Sequence, residues 1–164
     1  MAETTFTGPI KAGNVLQSDG SGVLAGEGGS NGIANVGYAV MAQSEVITQA
    51  TNVGSAGVYT TNIVIPAGSQ ILSIDLLVTA AWSGAAKTLG IGTTASATAL
   101  TAAGALDATA KGIVSANPGT VDAAIANWKD VGTTDVQVKV TSTNTGTGAG
   151  VLTVTYIQSN NLTA

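Results

Sequence analysis

The side chains best suited to acid–base chemistry in this chain are its nine carboxylates, because the 164 residues contain no histidine, cysteine or arginine. A glycosidase-type site needs two carboxylates that face each other across a cleft, one of them with a raised pKa. No acids here are paired at a spacing that predicts such a site. Asp75 and Asp135 occupy outward positions of alternating segments, and four others lie in predicted loops: Asp19, Glu27, Asp107 and Asp130. We therefore expect solvated acids, no catalytic residues and no enzyme. A carboxylate-dependent hydrolase is the alternative from the enzyme class.

Other patterns that carry chemistry in proteins are incomplete in this sequence. Ser69 follows a glycine, but the chain offers no histidine as its base and no Gly-x-Ser-x-Gly elbow. The stretch 19–22 (DGSG) resembles the start of an oxygen-rich calcium loop, yet it lacks the acidic series and terminal glutamate of an EF-hand and is more typical of a turn. The glycines of 20–32 match neither a dinucleotide-binding fingerprint nor a P-loop. We expect no cofactor and no metal.

The chain is weakly charged, with 9% charged residues, five lysines against nine acids and a net charge of −4. Nucleic-acid binding and a polybasic membrane anchor both require a basic patch, so we expect neither partner. The first five residues lack the cationic and apolar parts of a secretory signal, and no apolar run reaches the ~18 residues of a membrane span. Few charges keep copies of such a protein apart, which indicates a protein packed against neighbours.

Residues 1–35 are dotted with glycine, and their spacing predicts neither an amphipathic helix nor a long strand. We interpret them as an extended arm that becomes ordered on a neighbouring surface; a flexible leader is the alternative. Without arginine, such an arm has to bind through apolar anchors and backbone pairing. The candidate contact residues are Phe6, Pro9, Ile10, Val15 and Leu16.

From residue 36 to 164 the apolar period becomes two, which is typical of half-buried antiparallel strands. The clearest alternation places Leu72, Ile74, Leu76 and Val78 on one face. The same pattern predicts strands over 136–141, 151–157 and 59–65, and shorter ones over 36–42, 46–50, 87–93 and 111–115. Residues 94–110 are predicted to be a loop, and 120–128 a short helix whose inner face holds Val121, Ala124, Ile125 and Trp128. We expect an all-β protein, an antiparallel β-sandwich of jelly-roll type with an extended N-terminal arm.

Aromatic side chains offer a second possible function, the stacking of sugar rings. The chain has only six aromatic residues, and a core needs most of them. Trp82 precedes Ser83-Gly84 at a strand end, so it is the aromatic residue expected at a partner surface. A head-fibre or adhesin module that binds host glycans through Trp82 and loop asparagine and aspartate residues is the alternative from the binding class.

Four segments carry a family resemblance: 6–13 (FTGPIKAG), 36–43 (VGYAVMAQ), 65–74 (IPAGSQILSI) and 89–95 (LGIGTTA). Together with the arm-plus-sandwich layout, they resemble the small head decoration, or cement, proteins of tailed phages of marine and freshwater bacteria. The resemblance implies a structural virion protein, assembled in the host cytoplasm and placed on the outer surface of the capsid. It implies a homotrimer that clamps adjacent subunits of the major capsid protein. The family has no catalytic residues to carry over to this chain.

Overall fold

The computed structural model describes residues 15–16, 34–35, 39–49, 58–84, 87–120, 122–142 and 146–158. The chain divides into two units, one made of Met1–Ala39 with Ser159–Ala164 and the other of Val40–Gln158. In the first unit, strand β1 (Val15–Leu16) pairs antiparallel with β2 (Ala34–Asn35), Val15 lying opposite Asn35. The chain therefore reverses its direction between these two short strands.

The remaining described elements form two four-stranded sheets and a short helix. The first sheet has the order β3-β10-β5-β8 and the second sheet the order β4-β9-β6-β7. Every pairing whose register is described is antiparallel. In chain order the elements are β3 (Ala39–Thr48), β4 (Val58–Ile65), β5 (Gln70–Ala80), β6 (Thr88–Thr93), β7 (Leu106–Asp107), β8 (Gly112–Ala116), α1 (Asp122–Lys129), β9 (Val136–Ser142) and β10 (Ala149–Gln158). No helix among the described residues is long and apolar enough to span a membrane.

One hydrophobic core lies between the two sheets and confirms the predicted antiparallel sandwich. Alternate residues of the long strands enter it, as the period of two predicts. From the first sheet come Ile74, Leu76, Val78, Leu152, Val154 and Tyr156, and from the second sheet Ile63, Ile65, Leu89, Ile91, Val138 and Val140. Each of these side chains is at most 2% exposed, so the two inner faces exclude water from one another.

The predicted inner face of β5 is wrong at one residue. Ile71 is buried, whereas Leu72 is 43% exposed. The register between β5 and β10 shifts where Thr155 lies opposite Ser73 but Tyr156 lies opposite Ile71, so Leu72 has no opposing residue. A bulge of this kind inserts one residue and reverses the alternation beyond it.

The boundaries of the first strand of the sandwich differ from the prediction. Residues 39–48 form one strand, β3, instead of two, because the polar side chains of Gln43 and Glu45 in its middle bond to β4.

The helix is confirmed as α1, with Ala124 buried and Trp128 partly buried against the core. Ile125 was expected on its inner face but is 45% exposed, and Val121 lies outside the described residues. The predicted loop over 94–110 contains only the two-residue strand β7.

The segment 96–101 covers the free edge of β6 beyond the end of β7. The Ile91 N–H donates to Thr101 Oγ1 at 2.8 Å, and the Leu100 N–H donates to the Ile91 carbonyl at 3.2 Å. This close approach requires glycine in β6, since a Cβ at Gly92 would lie 2.3 Å from the Ala97 carbonyl carbon. At Gly90 the nearest such atom is 3.7 Å away, an ordinary contact distance.

Gly92→Ala should therefore lower the free energy of unfolding by about 2–3 kcal/mol, because its methyl group displaces the covering segment. Gly90→Ala is the matched control in the same strand and should change the stability by less than about 1 kcal/mol. Urea unfolding followed by tryptophan fluorescence measures both. Equal effects of the two substitutions would contradict the tight cover over Gly92.

Candidate interaction surface

The described carboxylates predicted as candidate acids each accept a local hydrogen bond. Asp75 on β5 accepts one from Ser115 Oγ of β8 at 2.5 Å, and Asp135 accepts one from the Ala67 N–H at 3.0 Å. Asp107 and Asp130 accept bonds from N–H groups two residues further along, as turn-forming aspartates do. No group of three or more metal-ligating side chains occurs within the described ranges. Asp19, Glu27 and the 19–22 stretch lie outside the described residues.

Trp82 is not a surface residue, and the expectation that it contacts a partner is wrong. Its side chain is 1% exposed, belongs to the core, and donates from Nε1 to Ser142 Oγ at 2.9 Å. Gly148 makes room for the indole ring, since a Cβ there would lie 2.5 Å from Trp82 Cδ2. The glycan-binding alternative thus loses the aromatic residue on which it depended.

Two cavities of the described region have uncharged walls. One of about 420 Å³ lies between the 93–100 segment and α1, where Asn127 is its most polar side chain. Another of about 280 Å³ opens beside Gly90 and Gly104 and is lined by threonine, serine, alanine and glycine. Neither contains a group able to exchange a proton near neutral pH.

The arm residues remain predictions. Phe6, Pro9 and Ile10 lie outside the described residues. Val15 and Leu16 form β1, of which the structure describes only the backbone. The pairing of β1 with β2 shows that this part of the arm bonds to its own chain.

The exposed aliphatic side chains concentrate on one side of the first sheet. Seven large hydrophobic residues are exposed in the described region, and five of them belong to strands of this sheet. We call this set the outer aliphatic face: Val40, Val46, Leu72, Leu77 and Ile113. Exposed aliphatic side chains that share one face of a sheet make that face a candidate interaction surface.

The register of the first sheet places outward aliphatic side chains of β10 and β8 on either side of an outward leucine of β5. Leu77 lies opposite Val151 of β10 on one side and opposite Ile113 of β8 on the other. The next outward position, Asp75, lies opposite Thr153 and Ser115. Asp75 is the only lysine, aspartate or glutamate that these four strands direct outward, because Glu45 points toward β4. The surface is therefore aliphatic and hydroxyl-bearing, with a single hydrogen-bonded charge.

A local sequence feature marks these outward residues. Leu77 follows Leu76, Val46 precedes Ile47, and Ile113 precedes Val114. Since neighbouring residues of a strand point to opposite faces, two adjacent aliphatic residues place one of them outside the core. These adjacent aliphatic residues indicate that some apolar side chains are exposed. They do not indicate that the exposed side chains lie on the same sheet.

The free edge of β4 is covered by side chains from β3. Gln43 bonds both backbone groups of Val64, donating to its carbonyl at 2.6 Å and accepting from its N–H at 3.1 Å. Glu45 accepts from the Asn62 N–H at 2.5 Å and from the Tyr59 hydroxyl. These side chains take the positions that an added strand would need, so β4 cannot pair with another chain.

The bond to Glu45 raises the pKa of Tyr59 above its ordinary value of 10.0, and burial and the nearby negative charge add to the shift. A folded-state pKa above the unfolded one means that this contribution to stability is complete below about pH 10 and disappears as the pH rises through the folded value. Wild type should therefore exceed Tyr59→Phe in stability by about 1 kcal/mol at pH 8, and this difference should vanish in strongly alkaline solution. Urea unfolding across this pH range measures it. A difference that stays constant above pH 10 would contradict the assignment.

Comparison with known proteins gives one informative likeness. No family model matches the chain, and no curated protein matches it. Among solved structures, a chain of the cyanophage Pam1 capsid asymmetric unit has a similar fold, with a TM-score of 0.53 and 18% sequence identity. The match covers 86% of this chain and 96% of that chain, which is therefore slightly the shorter of the two. At this level of identity the likeness is one of fold.

Proposed function

We propose that this protein is a structural component of a phage virion that decorates the outer surface of the capsid and stabilises it. The observation that carries the proposal is the shared fold with a chain of a cyanophage capsid asymmetric unit, over 96% of that chain. The matched chain is about as small as this one, so the likeness is to a small component of that assembly. The resemblance of the four sequence segments to phage decoration proteins supports the same role.

The strand order supports a jelly-roll winding of the sandwich. Counted in chain order from β3 to β10, the first sheet holds the first, eighth, third and sixth strands. The second sheet holds the second, seventh, fourth and fifth. A long hairpin wound into two Greek keys gives this order, and jelly rolls are common in viral capsid domains.

The chemistry of the described surface supports a contact role rather than catalysis. The described candidate acids accept hydrogen bonds that serve turns and strand pairs, and the two cavities described above have uncharged walls. Many copies acting together can hold neighbouring capsid subunits even where each contact is modest. Such a protein needs stable sheets and apolar contact residues, and it needs no reactive group.

In this proposal the partner is the major capsid protein, and residues 1–35 supply much of the contact through Phe6, Pro9, Ile10, Val15 and Leu16. The protein assembles in the host cytoplasm as a homotrimer and binds across the boundaries between capsid subunits. An extended segment suits this purpose because it can add backbone hydrogen bonds to an exposed strand of a partner.

Deleting residues 1–35 tests the attachment. The full-length protein should co-sediment with undecorated heads of the phage whose genome encodes it, and electron microscopy should show it outside the shell. The truncated protein should not bind, since its apolar anchors are absent. The double variant Phe6→Ser with Ile10→Ser should bind at least about tenfold more weakly, a loss expected for two anchor residues.

Lys11→Ala is the matched control, because it changes the same segment without removing an apolar anchor. Circular dichroism and thermal unfolding establish that the variants keep their sandwich. Equal decoration by the truncated and full-length proteins would overturn the role of the arm. Failure of the full-length protein to bind any head of that phage would overturn the proposed function.

A further inference from the structure

The three most exposed large hydrophobic side chains of the described region belong to the two edge strands of the first sheet. Ile113 of β8 is 73% exposed, and Val46 and Val40 of β3 are 68% and 62% exposed. The order β3-β10-β5-β8 places these strands at opposite ends of that sheet. Each end therefore presents aliphatic side chains beside a strand edge.

The second sheet differs, since this chain's own groups cover the edge of β4 and the part of the β6 edge that lies beyond β7. Gln43 and Glu45 occupy the edge of β4, and the 96–101 segment bonds Ile91 beyond the end of β7. Strand β8 has no such cover from the described residues, although an edge strand directs about half of its N–H and C=O groups outward. Its sequence, GIVSA, contains neither a charged residue nor a proline. Charged residues and prolines are the usual features of edge strands that prevent edge-to-edge pairing.

We propose that the β8 edge of one copy binds the β3 edge of a second copy, so that the first sheets of neighbouring copies join into one continuous sheet. The backbone groups of the two edges would pair with each other. Ile113 would then lie beside Val46, the more exposed of the two valines of β3, on the outer face of the joined sheet. The sides that these two side chains turn toward each other would leave water. Because the contact joins two different edges, it is head-to-tail and closes into a ring or extends into a filament.

Charge and size favour a second copy as the partner on this edge. Neither edge strand directs an ionised group outward, because Glu45 of β3 is bonded to Asn62 and Tyr59 of its own chain. The net charge of −4 per copy therefore produces no like-charge pair between the joined strands. Strand β8 has 5 residues and β3 has 10, so the shorter edge fits within the longer one.

A symmetric pairing of β8 with β8 explains less of the surface. It would join the β8 edges of two copies but leave the β3 edge of both unused. The head-to-tail contact uses both edges and brings Ile113 of one copy beside Val46 of the other. This inference deepens the self-association within the proposed function, and its test uses purified protein alone, so the result does not depend on capsid binding.

The experiment compares Ile113→Lys, Val46→Lys and an equimolar mixture of the two by sedimentation equilibrium. Wild type should sediment as a multiple of its 15.9 kDa mass. Each variant alone should associate at least about tenfold more weakly, because the aliphatic contact is lost and a lysine on an edge strand opposes its pairing with another strand. In the mixture, the intact β3 edge of one variant meets the intact β8 edge of the other, so heterodimers should form and grow no further.

Ile125→Lys on α1 and Val64→Lys on the covered edge of β4 are the matched controls, and both should associate as wild type does. Thermal unfolding checks that each variant keeps its fold. Three results would overturn the proposal: a monomeric wild type at every concentration, association unchanged by Ile113→Lys, or wild-type association of Val46→Lys. The last would indicate β8 pairing with itself.

Discussion

Backbone hydrogen bonding at the strand edges is the constraint on which this structure most depends. Every edge strand leaves about half of its N–H and C=O groups without a strand partner, and a sandwich of two open sheets has four such edges. In the second sheet, the amide of Gln43 and the carboxylate of Glu45 cover the edge of β4, and the 96–101 segment covers the edge of β6 beyond β7. Gln43 and Glu45 in the middle of β3 are thus needed to cover the edge of β4. Their polar side chains interrupt the apolar pattern of the sequence, although the strand itself is continuous.

The interior imposes a second requirement, because a small sandwich with few aromatic residues has to bury them to fill its core. Trp82 lies inside the core, and position 148 is a glycine because a Cβ there would clash with the indole ring. Gln49, fully buried, donates to the Ser83 carbonyl and accepts from the Ser83 and Gly148 N–H groups, which holds the chain around the indole ring in place. Trp82, which the local pattern predicted at a surface, is therefore a main part of the core. The large hydrophobic side chains exposed in the described region are aliphatic rather than aromatic.

The low charge of the chain leaves the outer face of the first sheet almost without charged side chains. Among the four strands of the first sheet, the only outward charge is Asp75, which is bonded to Ser115. Apart from the amide of Gln70, the remaining outward positions are aliphatic, hydroxyl-bearing or small. Such a surface has no electrostatic means of selecting a partner at long range. Its specificity has to come from shape and from backbone pairing at close contact. The proposed role in a capsid is compatible with these conditions, because a component of a repeating lattice contacts the same neighbour at every position.

The sequence by itself determined the long strands with alternating apolar residues, since a period of two is a local property that burial of one face imposes. It did not determine the continuity of β3 or the short strand β7. It indicated the helix near 122–129 for the same local reason. Adjacent aliphatic pairs such as Leu76-Leu77 also show that some apolar side chains must face outward. Strand neighbours, the bulge that exposes Leu72 in place of Ile71, the burial of Trp82 and the gathering of Val40, Val46 and Ile113 on one sheet were decided only by the tertiary structure. Each of these depends on contacts between residues far apart in the chain, and no local periodicity encodes which distant strand will supply the partner.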